Sequence, residues 1–127
     1  MSVGYSGTPL PRKLGIKDDS RAALVDAPSE FELDAPLEEP APGLDVLLFF
    51  VTERIELEAR FDELGALLQP AGGLWIAWPK KSSGVPTDLT ESVLREVGLP
   101  KGWVDNKVCA VTAVWSGLRF VRRLENR

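Results

Sequence analysis

The strongest constraint in this sequence is the segment Leu44-Asp45-Val46-Leu47-Leu48-Phe49-Phe50-Val51, whose unbroken apolar run is Val46 to Val51. A strand without polar alternation is covered on both faces, which is the position of a central strand in a parallel sheet. Thr52 then caps a helix running to about Leu68, in which Leu57, Phe61, Leu64 and Leu68 form one apolar stripe that faces the sheet. Gln69-Pro70-Ala71-Gly72-Gly73 ends the helix and turns the chain, and Leu74-Trp75-Ile76-Ala77-Trp78 supplies the next strand. Strand, helix and strand joined by short links make a right-handed crossover unit.

Other elements assemble around this unit. Thr8 as cap, Pro9 at the first helical position and Gly15 as a left-handed stop predict a short opening helix. Arg21 to Val25 follows as a nearly all-apolar strand that ends at Asp26-Ala27-Pro28. Ser29 to Gly43 carries five acidic residues and three prolines; it reads as a surface excursion, with a helical turn capped by Ser29 and an edge strand at Phe31 to Leu33. Asp88 and Glu91 have the spacing of a capping box, opening a helix to about Gly98 with Leu89, Val93 and Val97 as its buried stripe. Two closing strands, Lys107 to Ala113 and Leu118 to Leu124, are joined through Val114-Trp115-Ser116-Gly117, the second with the imperfect alternation of a partly exposed antiparallel strand.

The chain of 127 residues is expected to form one domain with a self-sufficient core. It contains no histidine, which removes Ser-His and Cys-His nucleophiles and every metal site built on imidazole. Cys109 is the only cysteine, so no internal disulfide can form and a structural zinc site is excluded; on its strand it is expected to pack inside. Catalysis would fall to carboxylates, lysine, tyrosine or a bound cofactor, and no cofactor is expected. A net charge of −4 opposes the broad positive field of non-specific nucleic-acid binding. No apolar run approaches the roughly 18 residues of a membrane span, and the amino terminus lacks a secretory signal, so a cytoplasmic protein is expected.

From Asp45 onward the chain resembles the late part of a Rossmann-like methyltransferase fold. The strand at 45–51, the helix with Phe61 and Leu68, and the Gln69-Pro70-Ala71-Gly72-Gly73 turn into Leu74 to Trp78 resemble that family's fourth strand, following helix and fifth strand. The last two strands fit its reversed hairpin. The resemblance implies a three-layer α/β sandwich, mainly parallel, with a carboxyl-terminal antiparallel hairpin. In such folds the first strand runs into a glycine-rich turn that admits S-adenosylmethionine. Here that stretch is Leu24-Val25-Asp26-Ala27-Pro28-Ser29-Glu30, without glycine, a departure that argues against methyl transfer.

A fuller resemblance is to a bacterial family designated domain of unknown function three-zero-five-two. It is carried by Gly4 to Leu10, Lys13-Leu14-Gly15-Ile16, Trp78-Pro79-Lys80-Lys81 with Ser83-Gly84, Thr87 to Glu91, Val104 to Val111, Trp115 to Arg119 and Glu125-Asn126-Arg127. It implies no particular reaction.

Ligands of open α/β sheets gather at the carboxyl ends of the parallel strands. Asp26 to Ser29, Thr52 with Glu53, and Pro79 to Gly84 should converge there. Lys80, Lys81, Ser82, Ser83 and Gly84, followed by a helix start at Thr87 or Asp88, read either as a site for an anionic small molecule or as a solvated lysine loop. Trp78 beside that loop reads as a stacking platform or as core. Asp26 is a candidate for a ribose contact or a base. Asp105-Asn106-Lys107 is either a ligand contact or ordinary turn chemistry, and Arg119, Arg122 and Arg123 are a basic edge, partners for the acidic segment, or solvated charge. Three roles stay open: a non-catalytic methyltransferase-like binding or interaction module, a small enzyme or carrier for an anionic or nucleotide-like molecule, and a homodimeric or larger scaffold joined through tryptophans.

Overall fold

In the computed structural model of the chain, residues 7–127 are described; Gly4-Tyr5-Ser6 lie outside them. The elements in order are α1 (Leu10–Lys13), β1 (Ala22–Val25), β2 (Leu44–Phe50), α2 (Arg54–Gly65), β3 (Leu68–Pro79), α3 (Glu91–Gly98), β4 (Trp103–Ala110) and β5 (Trp115–Arg122). They build a five-stranded sheet in the order β1-β2-β3-β5-β4. The three leading strands are parallel, with Val25 beside Phe49 and Phe49 beside Ile76. β5 returns antiparallel to β3, and β4 lies antiparallel outside β5. The mixed sheet with its closing hairpin is the one the sequence predicts.

Both sides of the central strands are buried, as their lack of alternation requires. Leu47, Phe49, Val51, Leu74, Ile76 and Trp78 face α2 and α3, packing with Leu57, Phe61, Leu64, Leu94 and Val97. Phe61 stands edge-on to both Trp103 and Phe120, at 5.7 and 5.5 Å between centroids. The alternate residues Val46, Leu48, Phe50, Trp75 and Ala77 form a second cluster on the opposite face. The cover there is different from the expected third layer. It consists of Leu10, Leu14 and Ile16 from around the four-residue α1, and of Ala27, Phe31 and Leu33 from irregular chain. The sandwich therefore has a full helical layer on one side only, the other carrying no more than the single turn of α1. Trp75 Nε1 donates to the Leu14 carbonyl at 3.0 Å, which ties α1 down without leaving the indole N–H unpaired.

Several element ends depart from expectation, each for a local reason. α1 is flanked by Pro9 rather than Thr8, though Gly15 does take the left-handed stop at φ 84°. Phe31 to Leu33 is not a strand, and Phe31 instead sets its ring against Phe50. α2 ends at Gly65, short of Leu68. Arg122 donates to the Gly65 carbonyl at 2.6 Å, and a Cβ at Gly65 would meet the Trp103 ring at 2.7 Å, so the close packing at this helix end needs glycine. Leu68 is already in β3, paired with Leu44; Gln69 to Gly72 form an irregularity within that strand before pairing resumes at Val46 and Gly73. α3 begins at Glu91, capped by Thr90, whose Oγ1 accepts from Val93 N. Asp88 does not open α3; it accepts from the Arg54 N–H at 2.8 Å and so caps α2 across the fold. The hairpin strands both start earlier than the sequence suggests, at Trp103 and Trp115.

Candidate functional site

The carboxyl ends of β1, β2 and β3 lie together, as a ligand site in this architecture requires. Beside them, on the face not covered by α2 and α3, is a cleft of about 520 Å³. One wall is the turn after β1, Pro28 to Glu32, held by a bond from Phe31 N to Pro28 O. The other is the hairpin turn Val111 to Trp115, and Leu10 adds a side. Thr112 shapes that turn, because its Oγ1 accepts from both Val114 N and Trp115 N at 3.1 Å. Phe50, at the end of β2, joins the walls: Phe31 and Trp115 both meet it edge-on, at 4.9 and 5.2 Å. Glu30, Glu32 and Thr112 are the polar groups of an otherwise apolar lining. A concave site with a few polar groups on apolar walls suits a small molecule, and the volume lies within the ordinary range of about 300 to 1,000 Å³.

The residues singled out in the sequence are distributed around this cleft rather than gathered in it. Lys80 lies next to it, since its backbone N–H donates to the carbonyl of Val114 at 2.7 Å. Lys81 to Ser83 form a single 3-10 turn, closed by Gly84 at φ 77°; Ser83 Oγ donates to the Lys80 carbonyl and accepts from Val85 N. The helix start expected beside the lysines is displaced to Glu91. Trp78 points to the helix-covered face and is buried in that core. Asp26 follows β1 in the left-handed region at φ 58°, a conformation tolerated by aspartate far better than by most side chains. Its carboxylate pairs with Arg60 of α2 at 2.8 Å, and Arg60 in turn lies over the Phe49 ring. Asp105 is an ion-pair partner of Arg95 at 3.0 Å, placed by β4 rather than by a turn. Among the described residues no group of three or more His, Cys, Asp or Glu is placed to hold a metal ion.

The residues that sequence reasoning missed are the cleft walls, Phe31, Thr112 and Trp115. Trp115 was legible only as one of four tryptophans, and Phe31 sat in the least regular part of the chain. The three carboxyl-terminal arginines separate. Arg122 reaches the carbonyls of Gly65 and Gln69 and lies 4.6 Å from the Trp103 ring centroid, Arg123 is exposed, and Arg119 is partly buried. The acidic segment is tied down instead by Arg21, which pairs with Glu38 at 2.6 Å; this hydrogen bond holds the Glu38 carboxyl below its ordinary pKa.

No protein-family model and no curated protein matches this chain. Among solved structures it is similar to the magnesium protoporphyrin IX methyltransferase of Synechocystis PCC 6803 with bound SAM, at 12% identity and a TM-score of 0.52 over 74% of this chain and 49% of that one. It is also similar to the Methanococcus jannaschii fibrillarin pre-rRNA processing protein, at 12% identity and a TM-score of 0.55 over 91% of this chain and 69% of that one. The chain thus spans about half the length of the first of these. At such identity the likeness shows the fold alone, and the fold is methyltransferase-like α/β. No helix among the described residues is long and apolar enough to cross a membrane.

Proposed function

We propose that this chain is a non-catalytic binding module of methyltransferase-like fold, of the bacterial family its segments resemble, and that it holds a nucleotide-like small molecule at the strand ends. The observation that carries this is the aromatic-walled cleft between Phe31 and Trp115, with the Lys80 backbone bonded to its Val114 wall. A planar base fits against the aromatic walls, where stacking and edge contacts are worth about 0.5–1.5 kcal/mol each. Glu30 and Glu32 accept from exocyclic amines or sugar hydroxyls, and an anionic group extends past Val114 toward Lys80 and Lys81.

The turn after β1 supports a site other than that of a methyl-transferring enzyme. Asp26-Ala27-Pro28-Ser29-Glu30 carries a side chain at every position, Asp26 is engaged by Arg60, and Ala27 packs onto the sheet. An adenosyl group would lack the close backbone approach that glycine gives.

The test is thermal unfolding and tryptophan fluorescence with nucleoside monophosphates, the matching nucleosides and S-adenosylmethionine. A nucleoside monophosphate should raise the melting temperature saturably. Trp115→Ala should abolish the response, whereas the Lys80→Ala/Lys81→Ala double variant should bind nucleoside and nucleotide alike. Stabilisation that survives Trp115→Ala, or no stabilisation by any nucleotide, would overturn the ligand assignment. Methyl transfer from S-adenosylmethionine would overturn the non-catalytic one.

A further inference from the structure

At the opposite end of the sheet Arg119 carries a buried side-chain nitrogen with no hydrogen-bond partner, the one such atom among the described residues. Arg119 of β5 stands beside Trp75 of β3, and its guanidinium crosses the backbone at Gly73. A Cβ at Gly73 would lie 2.4 Å from Nε and 3.0 Å from Cζ, so glycine is what allows this approach. The Nε atom is buried and has no hydrogen-bond partner. No described carboxylate forms an ion pair with Arg119, in contrast to Arg21, Arg54, Arg60 and Arg95. Burial, and secondarily the like charge of Arg127, lower the Arg119 pKa from its ordinary value.

Arg119 lines a pocket of about 310 Å³ together with Lys17, Ser20, Gln69, the Gly72 backbone and two carboxylates, Asp19 and Asp45, so its cations and acids balance and an anion must be placed by Arg119 rather than by a net positive field. Asp45 is occupied elsewhere, its Oδ2 accepting from the Arg21 N–H at 2.8 Å. The Ser20 hydroxyl accepts from Lys17 N and keeps its own proton to give. The Arg119 side chain is only partly buried, but its Nε is shut off from water without a partner, a costly arrangement that a charge-assisted bond from the outer end of the guanidinium to an anion would offset. We infer that this pocket is a second ligand site, for a compact oxyanion such as a carboxylate or phosphate group, with Arg119 as its fixed cation and Lys17, Ser20 and Gln69 as flanking donors. The planar fork of arginine suits two oxygens of one such group. This site lies at the amino ends of the parallel strands and stands independently of the cleft at their carboxyl ends.

The test uses the Lys80→Ala/Lys81→Ala chain, so that the lysine loop cannot answer for Arg119. Inorganic phosphate, citrate and acetate are titrated against chloride at constant ionic strength, by calorimetry and by the amide spectrum. At least one oxyanion should bind saturably at one equivalent, shifting the amides of Ser20, Gln69, Gly72 and Gly73. Arg119→Met should weaken that binding at least tenfold. If Arg119→Met does not fold, Arg119→Lys keeps the charge without the fork and should still weaken it several-fold. Unchanged affinity in the variant that folds, or no saturable binding of any of the three, would overturn the assignment. So would a concentration-dependent dimer lost in the Arg119 variant, because the counter-charge would then come from a second copy of the chain.

Discussion

Asp88 caps a helix from another part of the chain, and this has a measurable cost. The first turn of α2 has no side-chain cap of its own, because Glu53 at the capping position makes no such bond. The Arg54 N–H is served instead by Asp88 Oδ1 at 2.8 Å, while Thr87 Oγ1 anchors the same loop by donating to the Thr52 carbonyl. Replacing a capping aspartate by alanine typically costs about 1 kcal/mol, and its negative charge at a helix start adds about 0.3–1 kcal/mol. Asp88 is exposed, so salt screens much of the second contribution, and Asp88→Ala should lose about 1–1.5 kcal/mol. In urea unfolding this appears as a lower midpoint at unchanged slope. Asp88→Asn keeps an acceptor and should lose less than half as much. Hydrogen exchange supplies the decisive readout. Asp88→Ala should speed exchange at Arg54 and leave Val93 protected as before, since Thr90 Oγ1 accepts from the Val93 N–H at the start of α3. Faster exchange at Val93 with Arg54 unaffected would refute the assignment and restore Asp88 to the start of α3.

Gly98→Ala should destabilise by about 1–3 kcal/mol, because a Cβ there would meet the buried Phe120 ring at 2.5 Å; an unchanged urea midpoint would show that the ring moves aside freely. Trp75→Phe removes the buried donor to the Leu14 carbonyl and should cost about 1–3 kcal/mol, with faster proteolysis around α1 as its local sign. Burial raises the Cys109 thiol pKa, with Lys13 opposing it, so at mildly alkaline pH iodoacetamide should alkylate the folded chain several-fold more slowly than the urea-unfolded one. Equal rates would contradict this. The depressed Glu38 pKa means that its contribution to stability is present above the unfolded value of about 4.3 and lost as pH falls through the folded one. Glu38→Gln should therefore flatten the acid limb of the stability profile.

What the sequence reveals of this fold follows from how regular each element's burial is. Val46 to Val51 and Leu74 to Trp78 lie under cover on both faces, and continuous apolar runs announce that directly. The stripe Leu57, Phe61, Leu64 has helical spacing because it meets one flat sheet face. Element ends depend on partners distant in sequence, and there local reasoning fails. Asp88 has the spacing of a capping box with Glu91, yet the chain brings it to Arg54, and Thr90 takes the nearer cap. α2 stops at Gly65 because Arg122 and Trp103 arrive from the hairpin, which no window around Gly65 could show. For the candidate site, the sequence places Asp26 after β1 and Lys80 after β3 but does not show that Asp26 pairs with Arg60 of α2 while Lys80 bonds to Val114, and Phe31 and Trp115 carry no signal because neither belongs to a periodic pattern.

The two faces of the sheet explain where concave surfaces occur. Helices α2 and α3 cover one face with interdigitating stripes, and the large side chains there, Phe61 and Leu94 among them, are fully buried. The other face is covered by a one-turn helix and by irregular chain, whose backbone cannot follow a flat sheet at constant distance. Gaps are the physical consequence. The cleft beside Phe31 and Trp115 opens where irregular chain meets the hairpin turn, and the Arg119 pocket opens where the loop around Lys17 meets the irregular stretch of β3. The absence of a full helical layer on this side is what leaves concave surfaces at both ends of the same sheet face. The same absence accounts for the poor legibility of both sites, because chain that is irregular enough to leave a pocket carries no periodic signal.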